Sequence, residues 1–204
     1  MPPAGFQSEK EVEIKRSRFI TRVGRTDTES EARTFIAETK ARYPDARHHP
    51  VAFIVDDGRT AHTSDDGEPS GTAGAPMLAS LTQAGLTNIT AVVTRYFGGI
   101  KLGAGGLTRA YAGCVTAALA GIPRVVREVL TVWRLDIPHA DSGRIQEELL
   151  RSGARLVSVS YGDTGVCVRF TSPDDPLALI ARITQGVLIP TIDGDEIVEI
   201  LQGS

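Results

Sequence analysis

Short β-branched runs alternate with stretches of helical spacing along the chain, and this rhythm predicts the elements in order. Residues 11–14 and 18–23 are strands separated by Lys15, Arg16 and Ser17, as in a hairpin. Thr28 followed by Glu31 has the spacing of a capping box, in which the two side chains satisfy free helix amides. Ala32, Phe35, Ile36, Thr39 and Tyr43 then mark one face of a helix that Pro44 stops. Residues 51–56 (VAFIVD) are a strand, and residues 57–75 form a long polar loop. Pro76 suits the start of a helix carrying Met77, Leu78 and Leu81, with Gly85 after its end. Residues 88–94 (NITAVVT) are a strand of β-branched character. A helix with Leu107, Ala110, Tyr111, Cys114, Ala117 and Ala118 on its apolar face runs up to Gly121.

Ile122 and Pro123 mark a boundary, after which the pattern is simpler. Val129, Thr131, Trp133, Leu135 and Ile137 share one face of a strand, and residues 141–152 form a helix with Ile145 and Leu149 inward. Strands around Val157–Val159–Tyr161 and Val166–Val168–Phe170 flank the turn Gly162-Asp163-Thr164-Gly165. Pro176 opens a helix with Leu177, Ile180 and Ile183 inward, and residues 196–201 supply the last strand. That order, β-α-β-β-α-β, is ferredoxin-like. The expected class is α+β with two domains, residues 1–121 and 122–204.

Between the strand at 88–94 and the helix behind it lies the most informative stretch, residues 94–109 (TRYFGGIKLGAGGLTR). It holds Gly98, Gly99, Gly103, Gly105 and Gly106 together with Arg95, Lys101 and Arg109, and no acid. Glycines let a ligand approach the backbone, and the unpaired amides of a helix start favour an anion. The competing reading is a tight connection with solvated cations. The loop is neither common nucleotide fingerprint: Ala104 stands where a Walker A loop needs Lys, and Thr108 where the dinucleotide pattern needs glycine. Tyr96 and Phe97 offer rings for stacking on a base, with one of the two expected to point into the core.

Net charge is −3, so a polyanion site must be a local patch. Residues 1–121 hold 14 Lys and Arg against 13 Asp and Glu, and residues 122–204 hold 8 against 12, which places such a patch in the first part. Just ahead of the glycine loop, the segment SDDGEPSGTAG carries Asp65, Asp66 and Glu68 without a neighbouring cation. These carboxylates suit a hard cation such as Mg²⁺ or Mn²⁺, joined by His48, His49 or His62, but no metal-ligand spacing such as HExxH occurs. The favoured role is capping and loop-to-loop ion pairing, with Asp65 and Asp66 positioning the cations of the glycine loop or rejecting an anion in the wrong register. Cys114 lies on an apolar helix face as a small hydrophobe, and Ser64, Ser70 and Thr72 lack a GxSxG context. No catalytic residue, bound metal or cofactor is assigned. The two cysteines suit a reducing compartment, residues 1–15 carry no apolar signal core, and no apolar run is long enough to span a bilayer. These features read as cytoplasmic, with no membrane partner, and leave the oligomeric state open.

The stretches SDDGEPSGTAGAPML and VVTRYFGGIKLGAGGLTRAY, with KRSRFI upstream, resemble the YigZ/Impact family over about residues 10–121. The resemblance implies a ribosomal-protein-type β-α-β layer for the first domain. For the second it implies a ferredoxin-like accessory domain similar to domains of elongation factor G. It also implies a link to translation, since eukaryotic Impact proteins regulate translation. They do so with an extra partner-binding domain at their N-terminus that does not match this sequence, so that partner is not carried over. Where the family has cysteine after the histidine segment, this chain has Pro50, which removes any thiol chemistry there. Two functions follow. The first is a translation-associated regulator binding RNA or a ribosomal surface through Arg95, Tyr96, Lys101, Arg109 and the loop glycines. The alternative is a hydrolase or other enzyme on a small phosphorylated or peptide substrate, with the divalent metal that a proline-dipeptidase-like label would require.

Overall fold

A computed structural model describes residues 1–201. The chain forms two compact units, Met1–Val126 and Arg127–Ile200. The first is built on a five-stranded sheet whose strands lie in the order β1 (Gln7–Ile14), β2 (Ser17–Arg25), β5 (Ile89–Tyr96), β3 (Val51–Val55) and β4 (Thr60–Ser64). Strands β1 (Gln7–Ile14) and β2 (Ser17–Arg25) form an antiparallel hairpin whose turn residues Lys15 and Arg16 take φ of 46° and 63°. Helix α1 (Glu29–Arg42) follows, and Thr28 caps it by accepting from the Glu31 amide at 3.3 Å. The Glu31 carboxylate reaches back to the Asp27 amide at 2.7 Å, one residue beyond the standard capping box.

Strand β3 (Val51–Val55) is buried at every position because both faces of the sheet are covered. Ala52 and Ile54 join the core beneath α2 (Gly74–Gln83) and α3 (Ala104–Leu119), with Met77, Leu81, Leu107 and Tyr111. Phe53 and Val55 pack against Ala32 of α1 on the opposite face. The central strand β5 (Ile89–Tyr96) divides in the same way, Ala91 and Val93 facing α2 and α3 while Val92 meets Phe35 of α1. Strand β4 (Thr60–Ser64), a short exposed edge strand paired with β3, lies inside the stretch whose composition reads as loop. Its sequence, TAHTS, has no apolar alternation to reveal it.

In the second unit, β6 (Val125–Ile137), α4 (Ser142–Arg151), β7 (Arg155–Tyr161), β8 (Val166–Thr171), α5 (Pro176–Thr184) and β9 (Thr191–Leu201) follow in the β-α-β-β-α-β order. The strand order β7-β8-β6-β9 puts the first and third strands of this repeat at the centre, so the fold is ferredoxin-like within an α+β protein. Leu135, Ile137, Val168 and Phe170 of the sheet pack on Ile145 and Leu149 of α4 and on Leu179 and Ile180 of α5. The inward face of α5 is therefore set by Leu179, whereas Leu177, expected inside, is 49% exposed at the first turn. Among the described residues, no helix is long and apolar enough to cross a membrane.

The connection before β6 has a turn at Gly121 and then no regular structure up to the exposed Arg124. A boundary there predicts that trypsin cuts first after Arg124. A digest whose earliest fragments arise elsewhere counts against it.

Candidate functional site

The site is built at the carboxyl end of β5, where the strand breaks into residues 97–103 before α3. Arg95 is held there by backbone as well as side chain, its amide donating to the His48 carbonyl at 3.1 Å. The Gly98 amide donates to Ser17 Oγ at 3.1 Å, which ties the loop to the β1–β2 turn. Gly103, at φ 72°, is the N-cap of α3 and supplies no capping side chain, so the helix start has no built-in acceptor. Gly105 and Gly106 fall in the first turn, and Gly99 turns the loop at φ 84°. Lys101 and Arg109 are exposed, and neither has an ion pair among the described residues.

The three loop carboxylates take separate roles. Asp65 accepts from the amides of Gly71 at 2.8 Å, Ala73 at 3.0 Å and Gly74 at 2.9 Å, capping the start of α2. Burial pushes its pKa upward, but the three amides outweigh that and hold it below the usual aspartate value. Asp66 accepts from Lys40 Nζ at 2.9 Å and from the His49 amide at 2.7 Å. Burial again raises its pKa, and Lys40 with the His49 amide brings the net result below normal. Neither aspartate meets a cation of the glycine loop. Both are taken up by backbone amides and by Lys40, which lie closer to them.

Glu68 makes the connection between the two loops. Its Oε1 accepts from Arg95 Nη1 and from the Tyr111 hydroxyl, each at 2.7 Å, with the Glu68 and Arg95 side chains 3% and 8% exposed. Burial first, and Glu68 second, drive the Tyr111 hydroxyl far above its ordinary pKa, so it is a fixed donor. Among the described residues Arg95 Nε is buried without a hydrogen-bond partner. The guanidinium carbon lies 5.5 Å from the Phe19 ring centre and 5.7 Å from that of Phe97, within cation–π range of both. Neither Tyr96 nor Phe97 enters the core. Tyr96 is half-buried with its hydroxyl on Asp45 at 2.7 Å, and Phe97 is 58% exposed. The buried position at the strand end belongs to Arg95, whose charge Glu68 neutralises.

Asp45, Glu68, Arg95, Tyr96 and Phe97 line a cavity of about 690 Å³, within the ~300–1,000 Å³ of pockets that take small organic ligands. Arg47, Lys101 and Arg95 contribute cations, Tyr96 and Phe97 contribute rings, and Gly103 and Ala104 bring the start of α3. Asp45 and Arg47 carry no sequence signal; the bridge between His48 and Arg95 draws their segment to the site. Tyr111 reads as an ordinary core residue from its helical spacing, and its link to Glu68 emerges only in three dimensions. Cys114 is buried, and burial pushes its thiol up to about 11, which leaves it unsuited as a nucleophile. Among the described residues, no group of three or more His, Cys, Asp and Glu is arranged to hold a metal ion.

Known proteins resemble this chain in sequence and fold. Residues 15–119 match the Impact N-terminal domain. The IMPACT family member YigZ of Escherichia coli is 43% identical over 152 residues, covering 73% of this chain and 74% of its own. The IMPACT family member YvyE of Bacillus subtilis is 42% identical over 158 residues, or 76% and 72% of the two chains. A solved structure described as a hypothetical protein aligns with a TM-score of 0.56 and 38% identity, over 93% of this chain and 94% of that one.

Proposed function

This chain belongs to the Impact family, and from that premise we propose that it is a translation-associated regulatory protein that binds RNA through the cavity at the start of α3. The carrying observation is the combination of an exposed, buttressed Phe97 ring with the cations Lys101 and Arg47 at one concave site. Single-stranded RNA offers phosphates for cations and unstacked bases for rings, which is the pairing of chemistries this surface presents. A protein of net charge −3 needs such a local patch to hold a polyanion. The translation setting comes from the family resemblance, and a cytoplasmic site of action from the two unpaired cysteines and the absence of an apolar signal core in residues 1–15. A ribosomal surface is the expected location of the RNA.

The volume of the cavity favours a second reading, an enzyme acting on a small phosphorylated substrate. Against it, the two acids that line the cavity are already engaged, Asp45 by the Tyr96 hydroxyl and Glu68 in a buried pair with Arg95. Titration of single-stranded RNA and of ribosomes at two salt concentrations separates the two. Affinity should fall as salt rises, and Lys101→Ala should weaken binding across sequences while making the log–log salt slope shallower by about one unit. Unchanged affinity in Lys101→Ala, or no binding at low salt, would refute the RNA reading and leave the small-substrate enzyme.

A further inference from the structure

Resting on that reading, we infer that the cavity accepts a single nucleoside monophosphate unit, with its base stacked on the free face of Phe97 and its phosphate at Lys101 and the first amides of α3. Phe97 is 58% exposed, yet its ring lies against the buried Arg95 guanidinium. The Arg95 guanidinium lies within cation–π distance of both Phe19 and Phe97, Glu68 fixes that guanidinium at 2.7 Å, and Tyr111 fixes Glu68 at 2.7 Å. The chain from the buried Tyr111 to the exposed Phe97 is thus a preorganised platform, which reduces the ordering cost of stacking a planar ligand.

The other components match the rest of a nucleotide. Gly103 gives α3 an uncapped start, and the adjoining Lys101 forms no ion pair among the described residues, so a phosphate would meet both amides and a charge. His48 Nδ1 lies 3.0 Å from the Asp66 carbonyl oxygen. Because a carbonyl only accepts, Nδ1 carries the proton in the neutral ring and Nε2 is left as an acceptor, suited to a ribose hydroxyl or a base amine. The cavity volume suits one such unit. The unit has two sources, a residue of an RNA strand or a free nucleotide.

The test is direct titration of AMP by calorimetry and of a short fluorescent oligoadenylate by anisotropy, with AMP, ribose phosphate and inorganic polyphosphate then used as competitors against whichever binds. Wild type is compared with Phe97→Ala and Phe97→Tyr. Phe97 lies on the surface, so both variants should fold, and an unchanged melting temperature checks this. AMP should compete, and ribose phosphate should do so much less well. Phe97→Ala should lose affinity for AMP and oligoadenylate alike, roughly five- to a hundredfold, the range that stacking one base supplies, and Phe97→Tyr should restore it. If AMP binds and oligoadenylate does not, the pocket assignment stands with a free nucleotide as its source and the RNA reading fails. If oligoadenylate binds with no competition from AMP, the RNA reading stands and the nucleotide pocket is overturned. Polyphosphate competing as well as AMP, or Phe97→Ala binding like wild type, overturns the stacked base. Failure of both AMP and oligoadenylate to bind overturns both readings.

Discussion

Glu68→Ala is expected to destabilise the first unit by about 3–5 kcal/mol, the cost of leaving a buried charge without its partner. Arg95 is 8% exposed with Nε already lacking an acceptor among the described residues, and Nη1 would lose the Glu68 carboxylate 2.7 Å away. The Tyr111 hydroxyl would be stranded as well, since its donor reaches Glu68. Two controls separate charge from shape. Tyr111→Phe removes one hydrogen bond to a charged group and should cost about 1.5–3 kcal/mol. The double change Glu68→Met with Arg95→Met removes both charges and should recover much of the loss, because a buried pair is weak evidence of net stability. The measurement is urea unfolding followed by circular dichroism. Fluorescence of the single tryptophan would mislead, since Trp133 lies in the second unit. A Glu68→Ala loss below about 1 kcal/mol would mean that water reaches Arg95 and that the pair is not the support described above.

Elements with a covered face and strong periodicity were legible in the sequence. The β5–loop–α3 unit and the order of the second unit follow from β-branched runs, glycine stops and helical spacing. Edges were not. Strand β1 begins at Gln7, four residues before its apolar alternation, because the Gln7–Lys10 portion is a polar sheet edge held by pairing with β2. Strand β4 exists only because β3 offers it a ladder, and β9 begins at Thr191, well ahead of residue 196, in a largely exposed stretch. In each case tertiary pairing supplies what local composition does not.

The candidate site was legible as two loops of opposite charge, but the pairing within it was not. Composition makes Asp65, Asp66 and Glu68 equivalent, whereas the backbone distinguishes them. Asp65 stands at the start of α2 and meets three amides, Asp66 faces Lys40, and only Glu68 is carried beneath α3 to Arg95. The aromatic pair shows the same limit. An apolar ring was the natural candidate for the interior, yet the buried position fell to Arg95 because a carboxylate and a phenol were waiting there. A buried charge depends on partners distant in sequence, and periodicity carries no record of them.

Gly98→Ala is expected to be the most damaging substitution within the glycine loop, costing about 1–3 kcal/mol or more by overpacking. The obstacle is space: an added Cβ would lie 2.0 Å from both the carbonyl carbon and the oxygen of Arg16. Those atoms are backbone, and they belong to a turn whose residues Lys15 and Arg16 already hold left-handed conformations, so the turn cannot yield cheaply. The loop must move instead, breaking the Gly98 amide bond to Ser17 Oγ and carrying Phe97 and Lys101 away from the cavity. Stability and nucleotide binding should therefore fall together. Two neighbours calibrate the effect. Gly99 has open space around its missing Cβ but φ of 84°, so Gly99→Ala should cost about 1–2 kcal/mol through the backbone alone. Gly105 sits in the first turn of α3, where an added Cβ meets only Arg109 Nη1 at 3.6 Å. Gly105→Ala should be neutral or stabilising by about 0.4–1 kcal/mol, since alanine restricts the unfolded chain. Unfolding midpoints of the three variants, with AMP affinity measured alongside, test this order. A Gly98→Ala protein as stable as Gly105→Ala would show that the loop and the β1–β2 turn are not in contact, and the placement of Phe97 over Arg95 would lose its support.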